Sequence, residues 1–78
     1  MTIKKLNELK KGDLGKVVKI RGSGNVHQRL MDMGLIAGSM VEMQRVAPLG
    51  DPIEIRVKGY NLSLRKEEAA GISVEVSG

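Results

Sequence analysis

Apolar and polar residues alternate with a period of two across Met40–Val46 and again across Ile53–Val57, and the segment between them, Ala47-Pro48-Leu49-Gly50-Asp51-Pro52, is rich in turn formers. A β-hairpin is the expected outcome. The alternation puts Val41, Met43, Ile53, Ile55 and Val57 on one face, with Glu42, Gln44, Glu54 and Arg56 on the other. Two registers compete. Pairing Val46 with Ile53 sets Met43 opposite Arg56, whereas pairing Met43 with Ile55 keeps the apolar residues together and places Glu42 against Arg56 as an outward charge pair. The second register is expected, with Val46 left over and a bulge near Arg45 and Val46.

The rest of the chain is read around this hairpin. Ile3, Leu6 and Leu9 stand three apart, which suits a short helical or 3₁₀ turn against the core. Lys11-Gly12-Asp13 is a turn signal, and Leu14–Ile20 follows as a first strand with Val18 and Ile20 on one face. Gly22-Ser23-Gly24 breaks that strand. No Gly-Lys-Ser/Thr follows it and no third glycine sits at dinucleotide spacing, so it is a plain turn rather than a phosphate loop. Residues 25–34 carry a helix: Asn25 as N-cap with Gln28 three residues later, Val26, Leu30 and Met33 as the buried stripe, and Gly34 at the left-handed C′ position with Leu35 able to reach Leu30.

Tyr60, Leu62 and Leu64 alternate with polar residues in a further strand, Arg65–Ala70 makes a single helical turn ending at Gly71, and Ile72–Val76 is the last strand. The expected fold is mainly β: about five short strands, with one short helix between the first two, curled into a closed or nearly closed barrel that leaves few exposed edges.

At 78 residues there is room for one small domain spanning 1–78, and its core must be built from Val, Ile, Leu and Met, because Phe and Trp are missing and Tyr60 is the only aromatic. The absence of cysteine excludes disulfides, thiolate metal sites and cysteine nucleophiles. No apolar run reaches signal-peptide or membrane-span length, so a soluble intracellular protein is expected. Thirteen Lys and Arg against nine Asp and Glu give +4, which favours an acidic partner: nucleic acid, an anionic membrane surface or an acidic protein. Nucleic-acid readers of single strands stack bases on aromatics, and here only Tyr60 is available. His27 is the sole histidine; it and Asp32 point in different directions on the helix, as do Glu67 and Glu68, so no metal-ligand set is visible and the methionines read as core filling. No Ser or Thr carries a recognisable base, so no enzyme and no cofactor is expected.

Arg29-Leu30-Met31-Asp32-Met33-Gly34-Leu35-Ile36-Ala37-Gly38, Ala47-Pro48-Leu49-Gly50-Asp51-Pro52 and Leu62-Ser63-Leu64-Arg65-Lys66-Glu67-Glu68-Ala69, with Leu6, Leu9 and Gly12 before them, resemble the ferrous iron transport protein A (FeoA) family over almost the whole chain. The resemblance implies an SH3-like β-barrel, cytosolic, that binds and modulates the ferrous iron permease FeoB without catalysis and is recruited by it to the inner membrane. The same domain type occurs in metal-dependent regulators of the diphtheria toxin repressor class, where a helix-turn-helix precedes it; residues 1–78 are not expected to contain one.

For a binding module the informative residue is Leu49, an apolar side chain in a loop where polar residues are the norm. It either folds back to cap the barrel or contacts a partner. Met31, off the buried stripe, and Arg29, a cation for an acidic surface, are the other candidate partner-binding residues. Two rival functions stay open: a nucleic-acid-binding small barrel and a metal-regulated accessory domain.

Overall fold

The computed structural model describes residues 2–22 and 24–76. Six strands, β1 (Thr2–Lys5), β2 (Leu14–Ile20), β3 (Met40–Val46), β4 (Ile53–Val57), β5 (Tyr60–Leu64) and β6 (Ile72–Val76), form one antiparallel sheet in the order β1-β6-β2-β3-β4-β5. Helix α1 (Gly24–Asp32) lies between β2 and β3, α2 (Lys66–Ala69) between β5 and β6, and Leu6–Glu8 is a 3₁₀ turn against which α2 packs. Nine of the inward side chains come from β3 to β6, namely Val41, Met43, Ile53, Ile55, Val57, Leu62, Leu64, Ile72 and Val74, and Val17, Leu6, Leu9, Leu30, Leu35 and Ala69 complete the core. Fully burying an aliphatic side chain stabilises the fold by about 1.5–3 kcal/mol.

The strand count exceeds expectation by one, and the extra strand is β1. The 3₁₀ turn forms where the Ile3, Leu6, Leu9 spacing predicts a turn, but the residues before it extend and pair with β6, Ile3 opposite Glu75 and Lys5 opposite Ser73. All four β1 residues are exposed, so no alternation marks the strand, and its existence depends on a partner some seventy residues away. Because β1 comes first, α1 falls between the second and third strands. The sheet ends at β1 and β5, which do not pair with each other. Lysines at positions 4 and 5 protect the β1 edge from pairing with other chains.

Two bulges reset side-chain parity. In β2, Val17 pairs with Val74 and Lys19 with Ser73, so Val18 is the extra residue and is exposed, contrary to its expected place beside Ile20. Val17 takes the core position, and past the bulge Ile20 turns inward against Ile72. In the hairpin, Met43 does pair with Ile55 and Glu42 with Arg56. The bulge sits at Gln44 rather than at Arg45 and Val46, and by absorbing one residue there the strand also pairs Val46 with Ile53, so the two competing registers coexist on either side of it.

Helix α1 begins at Gly24, so Asn25 lies inside it rather than capping it, and Gln28 donates to the Asp32 carboxylate at 2.8 Å. Ser23 of the preceding turn lies outside the described residues. The C-terminus follows the expected Schellman pattern: Leu35 N–H donates to Leu30 C=O at 2.9 Å, Gly34 N–H to Met31 C=O at 2.9 Å, and Gly34 has φ +87°. Ser39, buried, accepts from Ile36 N–H at 3.1 Å and donates to Gly34 C=O at 3.2 Å, which secures the return to β3.

Gly34→Val forces a β-branched residue to positive φ, with its Cβ 3.3 Å from the Tyr60 hydroxyl, and is expected to cost about 1 kcal/mol or more in urea unfolding. Gly71 is limited by space instead: a Cβ there meets the Arg21 carbonyl oxygen at 2.6 Å, beside the bond from Arg21 N–H to Gly71 C=O. Gly71→Ala is expected to lower unfolding stability by roughly 1–3 kcal/mol, and an unchanged midpoint contradicts this close approach.

Candidate functional site

The hairpin loop owes its shape to its turn residues. Ala47-Pro48-Leu49-Gly50 closes a turn through Gly50 N–H to Ala47 C=O at 2.7 Å, with proline in the second position, where its fixed φ fits, and glycine in the fourth. Ala47 N–H then donates to Pro52 C=O at 3.1 Å, closing the loop base. Leu49 stands at the tip and is 95% exposed, so it does not cap the barrel. Asp51 ties the loop to the body by accepting the Lys66 N–H of α2 at 2.9 Å.

Helix α2 is the shared neighbour of the loop and of α1. Glu68 accepts from the Arg65 N–H at 2.9 Å with one carboxylate oxygen and from the Arg29 guanidinium with the other. Arg29, expected to await an acidic partner, therefore already has an acidic residue of its own chain, 39 positions away. The pair is half-exposed on the arginine side, a setting in which ion pairs contribute about 0–1 kcal/mol, so a stronger acceptor can compete for the guanidinium.

Met31, two residues further along α1, points to the other side of the helix. It lines a groove of about 300 Å³ with Ile20, His27, Ile36 and Ala37. The structure thus brings the Leu49 loop and Arg29 together around α2 and sets Met31 apart in its own groove. Ile36, 43% exposed, is the groove residue the sequence reading missed. Its signal was the adjacency of Leu35 and Ile36, since with Leu35 buried its neighbour points outward.

Among the described residues no three His, Asp or Glu side chains gather as a metal-ligand set, and no helix is long and apolar enough to cross a membrane. The arrangement offers apolar projections beside a releasable cation, which is the equipment of a binding surface.

Comparison with known proteins places these features in a family. A Porphyromonas gingivalis Fe(2+) transport protein A/Fe(2+) transporter FeoB fusion protein is 40% identical over 72 residues, 92% of this chain; the chain spans 8% of that protein's length. The solution structure of the Chlorobium tepidum FeoA protein superposes with a TM-score of 0.91 at 44% identity, over 96% of this chain and 71% of that one. The zinc complex of Stenotrophomonas maltophilia FeoA, described as a procaryotic SH3 domain protein, does so with a TM-score of 0.77 at 26% identity, over 90% and 87%. With the FeoA domain model matching residues 4–76 and an SH3-like sheet to carry it, this chain belongs to the FeoA family, linked to ferrous iron transport.

Proposed function

We propose that this chain is a cytosolic, non-catalytic accessory protein that binds the cytosolic part of a FeoB-type ferrous iron permease and modulates its transport. The observation that carries this reading is the Porphyromonas gingivalis relative, in which the matching segment is covalently joined to the transporter. Fusion holds two modules at high effective concentration, and a separate chain that does the same work needs a contact surface of its own. The Stenotrophomonas maltophilia relative, described as a candidate ferrous iron transport activating factor, supports the same role.

On this reading Leu49 is the apolar anchor at the loop tip, and Arg29 exchanges Glu68 for a carboxylate of the permease. Met31 supplies a second, separate contact through its groove. A lone leucine exposed on a turn whose backbone is fully determined by proline and glycine loses little entropy on docking, which favours it as an anchor.

Leu49→Ser tests this directly. The substitution is expected to change unfolding stability by less than about 0.5 kcal/mol and to weaken binding to the permease's cytosolic domain severalfold. Full affinity in this variant removes the loop from the interface. The isolated chain is further expected to bind Fe(II) no tighter than about millimolar, because no ligand set converges; micromolar one-to-one binding in anaerobic calorimetry favours the metal-regulated alternative instead.

A further inference from the structure

The sheet has two edges, and the chain guards them unequally. β1 carries Lys4 and Lys5 within the strand, whereas β5, Tyr60-Asn61-Leu62-Ser63-Leu64, holds no charge, no proline and no bulge along its five residues. Among the described residues β5 pairs with β4 alone, in unbroken register from Tyr60 opposite Val57 to Leu64 opposite Ile53. Its other side is open.

Which backbone groups lie on that open side follows from the turn before the strand. Lys58 and Gly59 both have positive φ, +50° and +85°, as a two-residue type I′ turn requires, so Val57 and Tyr60 form a hydrogen-bonded pair. Counting in twos, Leu62 and Leu64 also bond to β4, and the N–H and C=O groups of Asn61 and Ser63 point outward. Among the described residues these outward groups have no hydrogen-bond partner, and both residues are exposed.

We propose that β5 pairs antiparallel with β5 of a second copy of this chain about a two-fold axis at Leu62, joining the two sheets edge to edge. The spacing selects that occupant. Asn61 and Ser63 lie symmetrically about Leu62, so the axis sets Asn61 of each copy against Ser63 of the other, and about four backbone hydrogen bonds satisfy the outward groups of both. The side chains agree. On the core side the axis places Leu62 opposite itself and Tyr60, 41% exposed, opposite Leu64. On the solvent side Asn61 continues the row Glu42–Arg56 and Ser63 the row Arg45–Glu54, so a carboxylate and an arginine are neighbours in each, and the axis joins an Arg56 row to a Glu54 row. An axis at Asn61 or at Ser63 joins like rows and leaves the other edge residue opposite Gly59 or Arg65, outside the strand. At the strand ends Lys58 falls opposite Lys66, in a recess where Asp51 and Glu67 balance Arg65 and Lys66. A ladder this short makes a small interface, so the dissociation constant is expected on the order of 0.1–1 mM. The inference rests on the sheet edge and is independent of the permease contact.

Sedimentation equilibrium and amide exchange on the full chain alone, from about 20 μM to about 2 mM, test it without any permease. A concentration-dependent dimer is expected, with exchange at the Asn61 and Ser63 amides slowed about twofold or more at the top concentration and the Leu62 amide, already bonded to β4, protected throughout. Ser63→Pro removes an outward N–H without touching a bond to β4 and is expected to abolish the dimer while the monomer stays folded. Asn61→Lys with Ser63→Lys sets lysine against lysine on both sides of the axis and is expected to weaken the dimer about fivefold; Asn61→Glu with Ser63→Lys sets opposite charges together and is expected to tighten it about fivefold. Thermal midpoints are checked for every variant, and if Ser63→Pro does not fold the two charge sets decide alone. The proposal is overturned by a chain that stays monomeric at about 2 mM, by a dimer whose affinity is the same in both charge sets, or by Asn61 and Ser63 amides that slow only when the permease's cytosolic domain is added, which assigns the edge to a strand of that partner.

Discussion

A single curled sheet must present an unbroken apolar inner face, and in a chain with no Phe or Trp every inward position has to be filled by an aliphatic side chain. Side-chain parity is therefore the constraint on which the rest depends: one residue of slippage in any strand exchanges its core set for its solvent set. Two bulges manage it. At Val18 and Gln44 one residue is taken out of the ladder and the strand twists more sharply; past the first bulge Ile20 packs against the core, and past the second Val46 pairs with Ile53 but stays exposed. The sharper twist also curls the six strands toward a barrel without closing β1 onto β5.

The functional features follow from what the inner face leaves over. Loops and short helices at the ends of the strands give the core Leu6, Leu9, Leu30, Leu35 and Ala69, with Val26 and Met33 packed against it, and other side chains of theirs are free to project. Leu49 does so from a turn held by two backbone hydrogen bonds and anchored by Asp51 to α2. Glu68 holds α1 by the same small helix, which places a loop and a helix that are distant in sequence on either side of one helical turn. The result is an exposed apolar tip on one side of that helical turn and a half-exposed ion pair on the other.

The outer face is built on the opposite principle. There the strands themselves set the pattern, and hydrogen-bonded register places aliphatic, lysine and carboxylate side chains in rows that no loop could hold at constant spacing.

Much of this was legible in the residues. Local alternation suffices to determine β3 to β6, the Met43–Ile55 register and the solvent side of the hairpin, because a half-buried strand writes its burial into every second residue. The Schellman end of α1 was equally legible, since only glycine accommodates the φ of +87° at Gly34 and Leu35 must then meet Leu30. Tertiary structure alone decided β1, the Val18 bulge, the Arg29–Glu68 pair and the exposure of Leu49. Each depends on a partner remote in sequence or on its absence: β1 exists only where β6 offers a ladder, Val18 leaves the ladder because Val17 fits against Val74, and Arg29 meets Glu68 only when α1 and α2 are packed on one core. Side-chain pattern records whether a residue is buried; it does not record which distant backbone or charge comes to lie beside it.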